Sequence, residues 1–179
     1  FNGGFYNCNT FDHYELAKKF IEYGANDFNS GLQRACFHNH QRILYLMING
    51  GVTNLDEGLI YAVMGGKIEM IKTMLYYCPT NVNFAMKEAS RRGNIDCVNL
   101  LLKHGANNFD LCLIEACFSG IQNIAELMID LGATNLNYSF SVACANERYN
   151  LMPLLISKGV THCDVCNIAA ASHVLASLL

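Results

Sequence analysis

The chain has 179 residues, 52% of them hydrophobic and 15% charged, which is enough apolar sequence to bury a sizeable core and excludes intrinsic disorder. The formal net charge of −3 argues against binding nucleic acid through a basic surface. No uninterrupted apolar run has the length of a membrane-spanning helix, and no secretory signal peptide is visible.

A short motif recurs every 27 residues. If each unit is numbered from the first residue of this motif, position 12 is alanine in all six copies, and positions 9, 20 and 23–25 are mostly large and apolar. The complete units are 24–50, 51–77, 78–104, 105–131 and 132–158, and partial units occupy 1–23 and 159–179. Both ends cut the pattern within a unit, so we expect one array that is part of a longer one. The motif copies are Gly24-Ala-Asn, Gly51-Val-Thr, Cys78-Pro-Thr, Gly105-Ala-Asn, Gly132-Ala-Thr and Gly159-Val-Thr.

Each unit predicts two helices in succession. Apolar residues at positions 5, 8, 9 and 12 share one helical face, which indicates a first helix from about position 6 to 14. Position 6 is always Asn or Asp, as in Asn29 and Asp110, and is predicted to be the N-cap. Position 16 is predicted to end the helix in the left-handed conformation, since it carries Asn39, Gly66, Gly93 and Gly120 in four units.

The second helix follows, with apolar positions 20, 21, 24 and 25, and the glycine at position 1 ends it. Pro153 interrupts this pattern in unit 132–158. We expect that helix to begin late, near Asn150, so that the proline falls in its first turn.

One helix pair cannot bury its apolar face alone, so neighbouring pairs must stack to form the core. The constant alanine at position 12 fits a close helix–helix contact where a larger side chain would clash. The predicted fold is therefore all-α, an α-solenoid of stacked helix-turn-helix repeats.

The repeat resembles the ankyrin repeat. The runs from Leu113 to Ala133 and from Ala89 to Ala106 contain the leucine, small residues, glycine turn, paired aliphatics and Gly-Ala of that family. The family's repeat has 33 residues and a Thr-Pro-Leu-His motif before its first helix. Here the unit is six residues shorter and the motif is absent, so we expect short loops without the projecting β-turn finger. This shortened form is similar to repeats of large eukaryotic DNA viruses.

The resemblance implies a module that binds proteins, with no catalytic chemistry and no cofactor. On the first helix, positions 7, 10 and 14 point away from the predicted core stripe, and more than half of these residues are apolar or aromatic. An exposed stripe of this kind marks an interface, although the same side chains would also fill the concave wall of a solenoid. The partner-binding candidates are Tyr6, Gln33, Phe37, Ile60, Met64, Phe84, Lys87, Arg91, Leu111, Ile114, Phe118 and Tyr138.

Two other kinds of site were weighed. His162, Cys163 and Cys166, with His173 further on, resemble metal ligands by composition, but the two cysteines fall at positions 5 and 8, which face the core in other units. Glu88 and Glu115 share position 11 and are predicted to form a solvated row, paired with Arg34 or Lys87, rather than an acid–base pair. We therefore expect neither metal nor cofactor nor small-molecule substrate.

Nine cysteines, most of them at core positions, favour free thiols and an intracellular protein, in the cytoplasm or in a virion. Two functions remain open. The first is an adaptor that binds a protein partner through the first-helix face. The alternative is a structural subunit of a large assembly such as a virus particle, because low charge and a broad apolar stripe suit permanent contacts.

Overall fold

The computed structural model describes residues 2–77 and 80–160. Over these residues the protein forms twelve α-helices and one short 3-10 turn, with no β-strand, which confirms the predicted all-α fold class. The first helices of successive units are Asn2–Thr10 (α1), Phe28–His38 (α3), Leu55–Met64 (α5), Val82–Arg92 (α7), Phe109–Ser119 (α9) and Leu136–Ala145 (α11). The second helices are Tyr14–Glu22 (α2), Gln41–Gly50 (α4), Ile68–Tyr77 (α6), Ile95–Lys103 (α8), Gln122–Asp130 (α10) and Met152–Ser157 (α12).

The helices group into two compact units. Among the described residues, unit 1 comprises residues 2–77, 80–85 and 103–105, and unit 2 comprises residues 86–102 and 106–160. In unit 1, α3 packs against α4 within its own repeat and against α1 and α5 of the neighbouring repeats. In unit 2, α9 packs in the same way against α10 and α11. Each unit therefore builds its core from helix pairs that stack on their neighbours, as the repeat predicted.

The core follows the predicted positions of the repeat. The alanines at position 12 have no solvent exposure in any of the five repeats where they are described. The apolar residues at positions 20 and 24 of the complete repeats are fully buried as well, whereas those at position 25 range from Leu75, which is buried, to Ile156, which is 50% exposed. The position-12 alanines are Ala35, Ala62, Ala89, Ala116 and Ala143.

Each first helix ends in a left-handed residue at position 16, as predicted for Asn39, Gly66, Gly93 and Gly120. Asp12 and Glu147 occupy the same position and also have positive φ, of 56° and 60°. The backbone N–H of position 17 then donates to the carbonyl of position 12, as in the 2.8 Å bond from Arg148 to Ala143. This is the hydrogen bond of a Schellman motif. The turn therefore persists even where the residue is neither glycine nor asparagine.

The predicted N-cap was wrong by two residues. The first helices of the five complete repeats begin at position 5, and the capping side chains belong to position 4. Asp27 accepts from the N–H of Ser30, Asn54 from Glu57 and Asn108 from Leu111, at 3.2–3.3 Å. The complete repeats have Asn or Asp at both positions 4 and 6, and only the residue just outside the first turn has the non-helical backbone that a cap requires, as at Asn108 with φ −86° and ψ 71°.

The side chains at position 6 instead join one repeat to the next. Asn29 Oδ1 accepts from the backbone N–H groups of Thr53 and Asn54, at 3.1 and 3.2 Å. Asp110 accepts from those of Thr134 and Asn135, at 2.6 and 2.8 Å. Since these N–H groups lie just before the following first helix, position 6 fixes the loop that leads into it.

The hydrogen bonds that Asp110 accepts predict a pH-dependent contribution to stability. Hydrogen bonds from the backbone N–H of Asn135 and from Thr134 outweigh the opposing effect of burial and hold the pKa of Asp110 below its ordinary value of 3.8. The ionised form is thus favoured in the folded state. Its stabilisation is complete above the unfolded-state pKa and is lost as the pH falls through the lower folded-state pKa.

We expect Asp110→Ala to destabilise the protein at neutral pH by about 1 kcal/mol, because the loop N–H groups lose their acceptor. Asp110→Asn keeps a carbonyl acceptor, as Asn29 does, but cannot titrate. We therefore expect the free energy of unfolding in urea to fall more between pH 6 and pH 3 for the unsubstituted protein than for Asp110→Asn. Parallel curves for the two proteins would contradict this account.

Pro153 lies where the sequence predicted it. A 3-10 turn at Tyr149–Leu151 precedes α12, and Pro153 occupies the first turn of that helix. A proline there removes no helical hydrogen bond, since the N–H groups of a first turn have no partner within the helix. This confirms the late start of the second helix in unit 132–158.

Candidate functional site

The partner-binding candidates lie on the first helices, and none of the eleven whose side chains are described is fully buried. In unit 1, Gln33, Phe37, Ile60 and Met64 are half-buried and Phe84 is exposed. In unit 2, Lys87, Leu111 and Ile114 are half-buried, and Arg91, Phe118 and Tyr138 are exposed. Tyr6 belongs to α1, but its side chain lies outside the described part of the structure.

Four of these residues line a single depression in unit 2. Arg91 comes from α7, Ile114 and Phe118 from α9, and Tyr138 from α11. The depression has a volume of about 410 Å³. Phe118 and Tyr138 keep 46% and 56% of their surface exposed, so this site is an open groove rather than an enclosed cavity. We refer to it as the α9 groove.

Two further residues of the α9 groove, Glu115 and Val142, were not among the candidates. Both occupy position 11 of their units. That position lies four residues after position 7 and three before position 14, so all three share one face of the first helix. The helical period therefore places position 11 on the same face as the candidates, although the sequence analysis predicted only a row of solvated carboxylates there.

That row is in fact largely covered. The side chains of Glu88 and Glu115 are only 12% and 16% exposed. Lys87 Nζ lies 3.2 Å from Glu115 Oε1, which confirms one of the predicted pairings and ties α7 to α9 within unit 2. Glu88 is paired with the last turn of its own helix, through Arg91 Nη2 and Arg92 Nε at 2.7 Å each.

The neighbouring arginines favour the ionised form of Glu88. Burial alone would raise the pKa of Glu88, but the hydrogen bonds and positive charges of Arg91 and Arg92 outweigh it and lower that pKa. A carboxyl group with a lowered pKa is ionised at neutral pH and has no proton to donate. Glu88 therefore positions the two arginines and is unsuited to acid catalysis.

The described cysteines have the properties of core residues. All six are free thiols and five are buried. Burial is the main cause that raises the pKa of Cys97 and Cys112 to about 11 and that of Cys117 to about 12. Since the thiolate is the reactive and metal-binding form, these thiols are poor nucleophiles and poor metal ligands at neutral pH.

No group of three or more His, Cys, Asp or Glu side chains that could hold a metal ion occurs in residues 2–77 and 80–160. His162, Cys163, Cys166 and His173, which resemble metal ligands by composition but were not predicted to bind a metal, lie outside the described residues. In the same part of the chain, every helix is too short or too polar to cross a bilayer.

In unit 1, neighbouring first helices are joined by a hydrogen bond instead of an ion pair. The side-chain amide of Gln33 on α3 donates to Glu57 on α5, where unit 2 has an ion pair between α7 and α9. Next to Phe37, the rings of His38 and His40 stack at 5.7 Å between centroids. Polar contacts thus join neighbouring first helices in both units, and the α9 groove combines four of the predicted residues in one depression.

Residues 59–140 match a sequence model of ankyrin repeats that comprises three copies. The fold is similar to 127 chains of solved structures. One of them is the crystal structure of the human ASB11 ankyrin repeat domain, with a TM-score of 0.66 and 19% sequence identity over 88% of this chain and 84% of that chain. A search of curated proteins found no significant match. Residues 59–140 therefore match ankyrin repeats by sequence, and the chain has the fold of an ankyrin repeat domain over most of its length.

Proposed function

We propose that the protein is an interaction module that binds a protein partner through its first-helix face, with the α9 groove as the principal contact. Ankyrin repeats in general mediate protein–protein interaction. The observation that carries the proposal is the convergence of Arg91, Ile114, Phe118 and Tyr138 on one groove. Aromatic and arginine side chains are the residues that dominate binding energy at protein interfaces.

The shape of the groove favours a protein segment over a small molecule. Sites for small ligands enclose most of the ligand surface. Here Phe118 and Tyr138 are each about half exposed, so a small molecule in the groove would remain largely in water. A side chain of a larger partner would be covered by the rest of that partner, which also buries the exposed faces of both rings.

The test replaces the aromatic residues of the groove. In the complete protein, we expect Phe118→Ser together with Tyr138→Ser to abolish binding of the partner, because truncating a central aromatic anchor costs about 2 kcal/mol or more. The partner is first identified by cross-linking mass spectrometry on protein purified from its native source, where Lys87 is positioned to report contacts near the groove.

The matched control is Ile156→Ser. Ile156 is 50% exposed and lies on α12, a second helix of the same unit. It should retain the partner, and thermal unfolding should show that all variants remain folded. Retention of the partner by the double groove variant, or equal loss with Ile156→Ser, would remove the α9 groove from the proposal.

A second candidate, a structural subunit of a large assembly such as a virus particle, is favoured by apolar residues exposed outside the first-helix face. Tyr23 and Tyr76 are 72% and 83% exposed. Leu16 on α2 is 47% exposed, although every described residue at its position in the complete units is fully buried. Cross-links from these residues' helices to many copies of particle proteins would support this candidate, whereas links to one soluble protein would support the adaptor.

The shortened repeat remains the basis for proposing a viral source. An intracellular location is supported by the six free thiols among the described cysteines.

A further inference from the structure

The α9 groove is lined by three first helices of unit 2, and side-chain contacts join each of them to the next. An ion pair links α7 to α9. Between α9 and α11, the link comes from the turn after α11. There the Arg148 Nε–H group donates to the backbone carbonyl of Phe118 at 3.1 Å, and the Asn150 side-chain amide donates to the carbonyl of Gly120 at 3.2 Å. Both acceptors lie at the C-terminal end of α9.

The side chain of Arg148 passes directly over this helix end. Gly120, the C-cap residue of α9, has a φ of 81°, and a Cβ added to it would lie 2.9 Å from Arg148 Cδ. The backbone of Arg148 is fixed as well, because its N–H group donates to the carbonyl of Ala143 at 2.8 Å and Glu147 before it has the left-handed conformation. Arg148 therefore reaches Phe118 from a turn that is itself hydrogen-bonded.

The hydrogen bond from Arg148 acts at the part of α9 that is least secured by the helix itself. The last four carbonyls of a helix have no partner within it, and helix ends fray. The carbonyl of Phe118 is one of these four. A positive charge is also favourable at a helix C-terminus. Arg148 thus supplies both a donor and a cation to the turn that carries Phe118, whose side chain is 46% exposed and lines the groove.

The same kind of contact occurs in unit 1, with a different acceptor. His40 Nδ1 lies 3.0 Å from the backbone carbonyl of Asn9, and since a carbonyl oxygen can only accept, the ring N–H donates. His40 and Arg148 both occupy position 17, so each reaches back from the turn of its own repeat to the preceding first helix. Asn9 is fully buried, whereas Phe118 is an exposed groove residue. The contact in unit 1 therefore stabilises core packing, and the one in unit 2 secures the backbone of a candidate binding residue.

We infer that Arg148 is a positioning residue of the α9 groove, which holds Phe118 in place relative to Tyr138 and Val142 on α11. The inference rests on the proposed function and adds a residue that does not line the groove itself. The hydrogen bond joins the end of α9 to the turn that follows α11, so it spans the two helices that carry Phe118 and Tyr138. Rings that are held in place bind more tightly than mobile ones, because less conformational freedom is lost on binding.

Two substitutions separate the hydrogen bond of Arg148 from its charge. In Arg148→Gln, the Nε2 amide lies the same number of bonds from the backbone as arginine Nε, so a donor remains while the charge is lost. In Arg148→Met, the side chain keeps its length but has no N–H donor. We expect Arg148→Met to speed hydrogen exchange at the amides of Gly120 and Ile121 by about twofold to tenfold, the range of one net hydrogen bond. Arg148→Gln should leave these rates unchanged.

Partner affinity distinguishes a positioning role from a purely structural one. The probe is the protein that cross-links through Lys87, and the control is His40→Ala, which removes the equivalent hydrogen bond from unit 1. We expect Arg148→Met to weaken binding by about twofold to tenfold, and both Arg148→Gln and His40→Ala to retain it. The methyl NMR signals of Ile114 and Val142 should shift in Arg148→Met alone. Thermal unfolding checks that all three variants are folded.

Unchanged affinity and unchanged methyl signals in Arg148→Met would overturn the inference. Equal losses in Arg148→Met and Arg148→Gln would do the same, because the charge rather than the hydrogen bond would then matter, and so would an equal loss in His40→Ala. These failures leave the proposed function intact if the Phe118→Ser and Tyr138→Ser variant still loses its protein partner. If that variant keeps the partner, the proposed function itself fails.

Discussion

Replacing Gly65 by alanine is expected to lower the free energy of unfolding by about 2–4 kcal/mol, a large effect for one methyl group. Gly65 is the residue that follows α5, and its φ of −80° is open to any amino acid. The cause is therefore not backbone conformation. A Cβ at this position would lie 3.0 Å from the carbonyl carbon of Phe37 and closer still to its oxygen.

These obstructing atoms belong to the backbone of α3, which has no rotamer to change. Relief requires α3 to move away from α5, and the close packing between them resists such a shift. Urea unfolding followed by far-UV circular dichroism would measure the loss.

Gly105→Ala provides the comparison. Gly105 has a φ of 90° and nothing within 4 Å of an added Cβ. This substitution should cost about 1 kcal/mol, since only the left-handed conformation opposes it. If Gly105→Ala proves as damaging as Gly65→Ala, conformation rather than contact with Phe37 limits these positions.

Gly65 illustrates what a repeat can and cannot predict. The period of 27 places every residue in a frame, so features that recur in each unit could be read from the sequence. The buried alanines at position 12 and the left-handed residues at position 16 belong to this class. Position 15 varies between units, and the requirement for glycine at Gly65 arises from a contact with Phe37, in another repeat, that the sequence does not display.

The misassigned N-cap has a different origin. Asn and Asp at positions 4 and 6 have the same propensity for capping, and propensity alone cannot choose between them. The choice is made by where the helix begins, and in the structure it begins at the apolar residue between them, such as Phe28 or Phe109. The second Asx side chain is then available to bond the loop of the next repeat.

The candidate site was predictable in part for the same reason. Helical spacing identified Ile114, Phe118 and Tyr138, because they lie off the core stripe on neighbouring first helices. It could not show that Glu115 and Val142 join them, since position 11 holds both charged and apolar residues. Nor could it place Arg148, whose contact with Phe118 spans thirty residues of sequence.

The second large effect is expected for Ala116→Leu. Ala116 lies at position 12 on α9, has no solvent exposure, and accepts hydrogen bonds from the backbone N–H groups of Gly120 and Ile121. An isobutyl group in place of the methyl must displace atoms on α9, α10 or α11, which pack together here. Overpacking of this kind costs about 1–3 kcal/mol, and we expect the upper end because the Schellman turn also limits any shift of the helix end.

Ala145→Leu separates this packing effect from the substitution itself. Ala145 is exposed at the end of α11, at position 14 of its repeat, so the larger side chain has room, and the helix propensity of leucine is only slightly below that of alanine. Its free energy of unfolding should change by less than about 0.5 kcal/mol. A small effect of Ala116→Leu would mean that the constant alanine reflects something other than close contact. A large effect confined to position 12 would show that alanine recurs there because the stacked helices leave space for only a methyl group.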